Sequence, residues 1–383
     1  MRAWRGKVDR AKATAFTATL AIGATLLAAC GQTSQDGDSS GSGGSGGGTA
    51  SGAGGGSSAS GGVTASSLGG ADGSGGQPFV GPCVRDLVGD VTVETQADVD
   101  AIQDVCSIAG DLFLQAEVAR IELSRLETIT GNLRIAFNDA LVELSLPALE
   151  TLGELDSADS GLLIGEALSL TQVQLPALET VSFIDVFDAL SLTEFDLTSL
   201  TRTERIAFAG TGLTELDLPA LIEGNIDLNV NEDLETIHSP GWTSGSLLLW
   251  SGGKLTALDC PSLISAGAIE LQDTENLTRV SFPMLESMSG MLRVGGLAAL
   301  EELSFPALTT TQLVEVTQND ALLSVSFPVL ESIADDWLEI ASNPVLETLS
   351  VPALVLGAAA HIEENPALMT CEGAALVDVP DCQ

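Results

Sequence analysis

From about residue 108 onward, apolar and polar positions return with a fixed period. An aliphatic residue opens each segment at Val118, Leu141, Leu170, Leu192, Leu213, Leu234, Leu255, Leu277, Leu300, Leu322, Leu346 and Leu368. The eleven intervals cover 250 residues, a mean near 23, and such a period is the mark of a solenoid. Three residues after the opening position stands a second apolar side chain, as at Leu144, Phe195, Val280 and Val325. Two further on comes a third, as at Leu146, Cys260, Phe282, Phe305 and Phe327. Just before the opening residue lies an alternating pair: Leu133/Ile135, Ile226/Leu228, Leu247/Leu249, Ile269/Leu271 or Leu338/Ile340. Period-two alternation in pieces this short predicts short strands, each with one buried face. A helical repeat needs a longer window of 3.6-residue periodicity, and the recurring prolines leave none.

Those prolines have a place of their own. Pro147, Pro176, Pro219, Pro240, Pro261, Pro283, Pro306, Pro328 and Pro352 each follow the second strand directly. A residue without an N–H is tolerated where a ladder ends, so they mark a corner. Asn stands three residues before the opening position at Asn138, Asn231, Asn319, Asn343 and Asn365. A short amide side chain at that bend can tie down backbone groups.

The phrase L-x-x-L-x-F-P-x-L, as in Leu322 to Leu330, followed by a small-residue bend, an alternating pair and Asn, resembles the repeat of the receptor L domain. That family includes lobes of insulin- and EGF-type receptor ectodomains, fungal wall-associated GPI proteins and bacterial surface lipoproteins. Ordinary leucine-rich repeats place Asn after an L-x-L strand rather than before the next Leu. The resemblance covers roughly residues 83 to 382. It implies an all-β fold, a right-handed parallel β-helix of about twelve turns of about 22 residues with Cys-closed ends. Cys83 and Cys106 bracket the first unit, read as a strand (Val91, Val93) and a short helix (Ala97 to Val105); Cys371 and Cys382 bracket the last. In an oxidising envelope the expected pairs are Cys83–Cys106 and Cys371–Cys382, each stabilising by about 3 kcal/mol. Cys260 occupies a core position and reads as an inert buried thiol.

The N-terminus is organised for export. A basic stretch ends at Lys12, an apolar run covers 13–29, and it closes on Leu27-Ala28-Ala29-Cys30. This resembles a bacterial lipobox, which implies a signal peptide over 1–29 and a lipid on Cys30. Residues 31–77 contain 19 Gly and 12 Ser among 47 positions, and no Lys or Arg. Segment 30–77 therefore reads as a disordered tether, reaching about 35–40 Å, beneath a folded region over 78–383. Glycine patterns there that fit G-x-G-x-x-G or G-x-S-x-G neither follow a strand nor open a helix, and carry no chemistry.

Charge narrows the partners. The formal net charge is −39, and the first 29 residues hold five of the fourteen basic residues and one of the 53 acidic ones. The remainder keeps nine basic against 52 acidic side chains, a surface that repels nucleic-acid phosphates. Neither histidine, His238 or His361, has a Ser or Cys in a recognisable nucleophile context, and no C-x-x-C, H-x-x-x-H or EF-hand spacing occurs. No cofactor or metal is expected.

Two features read as possible binding sites. Glu127, Glu150 and Glu179 stand nine residues after the opening position on three consecutive turns, so stacking would bring them into a column. The interval from Leu141 to Leu170 is 29 residues, and its excess falls in a polar loop from Glu154 to Ser160 that includes Asp156 and Asp159. The expectation is a lipid-anchored envelope protein, at the outer membrane or cell surface, binding a protein or glycan through its solenoid without catalysis. A structural envelope component without a discrete ligand is the alternative, and a polysaccharide-degrading β-helix enzyme the least favoured reading.

Overall fold

Each turn contains three strand positions separated by tight bends. The opening residue leads into a three-residue strand, as at Glu143–Ser145, Gln172–Gln174 and Ser324–Ser326. The chain then turns at the Pro corner, where the Leu149 amide donates to the Leu146 carbonyl at 3.2 Å. A two-residue strand follows, such as Thr151–Leu152 or Ser265–Ala266, and then a longer one, such as Leu133–Ala136 or Met291–Gly295. In Thr180–Ala189, Arg202–Thr211 and Ser332–Ala341 the last two positions fuse into one ten-residue strand. The computed structural model describes residues 63–64, 85–155, 160–355 and 360–376, all within Ala59–Gln383, the second of the two units into which the chain divides.

Every strand pairs in parallel with its equivalent one turn away, so each residue stacks on its counterpart: Leu144 on Val173, Val325 on Leu349, Leu247 on Ile269. The result is a parallel β-solenoid with three walls, here named register, corner and long for the three strand positions. It has about 13 turns rather than the twelve expected. The added turn is the first unit, which lacks an opening Leu. There helix α1, Gln96–Ala101, replaces the register strand, held by a capping box in which Thr95 and Asp98 bond reciprocally. The helix is shorter than the expected Ala97–Val105. Val105 instead begins strand Val105–Ala109, which pairs with both Arg85–Val88 and Thr128–Ile129. Val63–Thr64, inside the segment read as tether, pairs with Val91–Thr92; the rest of that segment lies outside the described residues.

One continuous apolar core runs through the stack, built from the opening residues and the inward sides of all three walls. Phe282, Phe305 and Phe327 stack face to face at 5.6 and 5.5 Å, and Trp242, at a site otherwise Leu, is 1% exposed. Cys260 is buried as expected, and burial pushes its thiol up to about 12, so it is inert at neutral pH.

The bend after the long wall is the most demanding point of each turn. Eleven successive turns place one residue there in the left-handed region, with φ from 51° at Glu166 to 68° at Gly296. Its amide still donates to the next turn, as from Val230 to the Trp250 carbonyl at 2.9 Å, and this fixes the conformation. Only Gly210 and Gly296 meet the demand without steric cost; Val230, with φ 53°, is the single β-branched residue among the eleven. Val230→Gly is therefore expected to stabilise the fold by about 0.5–1 kcal/mol, the steric relief outweighing the added chain entropy. A fall in the thermal midpoint would refute that account.

The buried Asn column follows this bend, as expected. Asn319, Asn343 and Asn365 form a ladder in which each Oδ1 accepts from the turn before, and each Nδ2 donates to a strand carbonyl: Val294, Val316 and Ile340. Asn231 does the same alone, donating to the Phe208 carbonyl at 2.9 Å and accepting from Thr211 Oγ1 at 2.7 Å.

Candidate functional site

The sequence-predicted candidates separate once stacked. Glu127, Glu150 and Glu179 do fall on consecutive turns, linked by amide-to-carbonyl bonds of 2.9 Å between successive members, and all three are exposed. Among the described residues no group of three His, Cys, Asp or Glu side chains is placed to hold a metal ion. Glu154 is exposed, its amide bonded to Ser160 Oγ at 2.9 Å, and Asp156 and Asp159 lie outside the described residues. Cys106 and Cys371 are each disulfide-bonded; Cys30, Cys83 and Cys382 lie outside the described residues. His238 Nδ1 sits 2.8 Å from Asp217 Oδ1 on the exposed register wall, and His361 stacks on Trp337 at 4.4 Å.

The more unusual surface is one that sequence spacing did not reveal, the outer face of the long wall. Two aromatic rings lie on it. A Cβ added at Gly161 would fall 2.9 Å from the Phe183 ring, and one at Gly165 would fall 2.2 Å from the Phe187 ring. Both rings therefore rest over glycines on the neighbouring turn, with Leu163 between those glycines. An outward-facing aromatic pair with reserved seats is an ordered apolar patch rather than two stray side chains.

Beside it the parallel register builds a line of charge. Successive turns place Leu163, Asp185, Ala207, Asp227, Leu248 and Glu270 in one outward column, acid alternating with apolar. Asp185 pairs with Arg205 at 2.5 Å, yet burial outweighs that pairing and raises its pKa, and its Oδ1 has no hydrogen-bond partner. Glu270, only 2% exposed, is bridged by Arg293, which also holds Glu315 at 2.9 Å; burial again dominates and raises its pKa. The Asp227 side chain makes no hydrogen bond or ion pair among the described residues. Burial first, then repulsion from Asp185 and Glu270, pushes it up to about 6 against the opposing pull of Arg205.

A carboxyl whose folded pKa lies above its unfolded value costs stability where it is ionised. For Asp227 that cost is absent below the unfolded value of 3.8, grows as pH rises to about 6, and is complete above it. Asp227→Asn is therefore expected to stabilise the protein at pH 8 by about 1–2 kcal/mol, after discounting for its partial exposure. The gain should vanish at pH 4; urea midpoints at the two pH values measure it, and equal midpoint shifts would refute it.

Where the corner wall meets the long wall, a recess of about 530 Å³ adjoins this face. Its lining includes Gly224, Gly245 and Gly267, with Ser244, Ser265 and Ser287 beside them and the Arg202–Glu223 ion pair (3.3 Å) at one end. The buried indole of Trp242 props it from below, donating to the Gly224 carbonyl at 3.0 Å. Asn225 joins the recess to the Asp227 strand.

No family model matches the chain. A cell surface GPI-anchored protein of Arthroderma benhamiae is 32% identical over 212 residues, which are 54% of this chain and 52% of that protein. A GPI-anchored surface protein is among the kinds of protein whose repeats this chain's motif resembles. The chain spans about half the length of the curated relative it matches. Among solved structures, a leucine-rich repeat protein from Bacteroides ovatus has 16% identity, 79% of this chain and 87% of that chain covered, and a TM-score of 0.26. A leucine rich cell surface protein from Faecalibacterium prausnitzii has 13% identity, 75% and 79% covered, and a TM-score of 0.20.

Proposed function

We propose that this chain is a lipid-anchored cell-surface module that binds an external ligand, without catalysis, through the outer face of its long wall. The observation that carries the reading is the pairing of seated aromatic rings with half-buried carboxylates on one wall. A solvent-facing sheet gains little from either: rings on its outer face are only partly buried, and crowded acids with raised pKa values work against folding. A partner that covers the rings and brings positive charge to the acids accounts for both. The lipobox-like Cys30 and the Gly/Ser segment after it supply the anchor and reach. The likeness to a cell surface GPI-anchored protein supports display outside the cell. Among the described residues, those on the wall do not assemble a nucleophile, base and orienting group, which favours binding over hydrolysis.

Protease treatment of intact cells tests the placement, with a Cys30→Ala strain as the unanchored control. Digestion of the anchored protein from outside is the expected result. Protection until the outer membrane is broken would move the protein to the periplasm and favour a structural envelope role. Cell adhesion then tests the wall: strains carrying Phe183→Ser with Phe187→Ser should adhere less than wild type at equal surface abundance, and undiminished adhesion would exclude the long wall.

A further inference from the structure

We propose that the outer face of the long wall, from Leu163 to Leu248, docks an extended cationic polypeptide segment, one that seats an apolar side chain on Phe183 and Phe187 and a lysine or arginine at Asp227. This rests on the reading of that wall as the binding face and names the chemistry of the partner.

Charge complementarity fixes the sign. Asp227 is faced from the strand Arg202–Thr211 by Arg205, from Thr180–Ala189 by Asp185 and from Ile269–Gln272 by Glu270. The intervening strand Leu247–Trp250 contributes no titratable group. Arg205 is already committed to Asp185 at 2.5 Å, and Arg293 to Glu270 and Glu315. The column therefore contains one acid without its own cation, held among groups that repel it. An incoming ammonium or guanidinium supplies that charge in a site whose water has been partly removed, where charge-assisted bonds are stronger. A second copy of this chain is a poor occupant, since its net charge of −39 repels. A neutral glycan leaves Asp227 as it was.

Geometry fixes the spacing. Asp227 lies two turns beyond Asp185, which stands between the two rings on their strand. Turns are about 4.8 Å apart, so the step is about 10 Å, or three residues of an extended chain at about 3.3 Å each. The fitting segment has an aromatic or aliphatic residue three positions from a lysine or arginine, and runs along the solenoid axis. The two Phe rings give it an anchor and Asp227 gives it direction.

The test uses the full chain with Cys30→Ala, and a fluorescein-labelled peptide with Phe and Lys three positions apart in a Gly/Ser background, read by anisotropy at physiological salt. The expected result is saturable binding that is lost when Glu replaces Lys. It should weaken about tenfold or more with Asp227→Asn or with Phe183→Ser. It should also weaken as pH falls from 7.5 to 5, because Asp227 takes up a proton. The triple variant Glu127→Gln, Glu150→Gln, Glu179→Gln removes more negative charge from elsewhere and is expected to leave binding within about twofold. Equal weakening by that triple variant, binding of the Glu peptide, or insensitivity to Asp227→Asn would overturn the proposal. Asp227→Asn is expected to stabilise the protein, so lost binding there does not reflect unfolding. If the Phe183 and Phe187 variants abolish cell adhesion while the Lys peptide fails to bind, the chemistry of the partner is wrong and the wall stands. If adhesion is also unchanged, both readings fall.

Discussion

Arg293→Met is expected to destabilise the solenoid by about 3–5 kcal/mol at pH 8, and by much less at pH 4.5. Arg293 stands on the long wall between Glu270 and Glu315 on the neighbouring turns, and bonds both. The Glu270 side chain is only 3% exposed, so removing the guanidinium leaves a buried carboxylate with no counter-charge. The methionine fills a similar volume, so the loss is electrostatic rather than a cavity. The pH dependence follows from the sign of the Glu270 shift. Its pKa is already raised by burial and is held down by Arg293. Without Arg293 it rises further, and the penalty applies only where Glu270 is ionised. Acidification through that raised value neutralises the group and removes the deficit. Adding Glu270→Gln should restore much of the stability at pH 8, since both charges are then gone. Urea midpoints give the size, and hydrogen exchange over 269–317 shows whether the opening is local, as stacked turns allow. A loss below about 1 kcal/mol, or one equal at both pH values, would sink the argument.

The core was legible in the sequence because the same physical demand returns every turn. The opening Leu, the apolar site three residues later and the corner Pro recur at fixed spacing, and the structure buries the apolar ones except Val118, Ile237 and Leu368, which pack half-buried against the core. The first unit was less legible: it has no opening Leu, and its helix stands where other turns have a strand, so the turn count fell one short. The outer face of the long wall was hidden for a different reason. Asp185, Asp227 and Glu270 are separated by about two repeats, and no repeated residue type marks their position. Each of the three stands seven residues before the next opening Leu, at Leu192, Leu234 and Leu277, but Ala207 and Leu248 on the turns between them interrupt the run of acids. The Glu127, Glu150 and Glu179 column was visible because the same residue type recurs at the same position on three consecutive turns. A sequence signal did exist for the aromatic pair: Gly161 and Gly165 flank Leu163 at a spacing of four, and each lies one turn from a Phe at the same spacing.

The Asn ladder explains how a solenoid can hold buried polar side chains at a bend, and it sets the second large effect. Asn343 is fully buried. Its Oδ1 accepts from the amide and the side chain of Asn319, both at 3.1 Å. Its Nδ2 donates to the carbonyls of Val316 at 3.0 Å and Ala341 at 3.1 Å, and to Asn365 Oδ1 at 3.2 Å. Asn343→Ala thus removes partners on both neighbouring turns, strands the Asn319 amide and opens a small void. The expected cost is about 3–4 kcal/mol, a few bonds of about 1 kcal/mol each plus desolvated groups left unpaired. Asn343→Asp separates the two halves of the ladder. The acid keeps an acceptor for Asn319 but turns an oxygen toward the Val316 carbonyl and Asn365 Oδ1, where a donor is required. When ionised it should cost more than Ala; protonated, it regains a donor. Its folded pKa is therefore expected to lie above the unfolded value of about 3.9, so the damage appears as pH rises and recedes below it. Thermal midpoints of the Ala and Asp variants at pH 4 and pH 8 decide the matter: the order should invert, with Asp the better tolerated only in acid. If Asp is tolerated equally at both values, the Nδ2 donations do not hold the bend. The ladder would then be a consequence of packing rather than a cause of it.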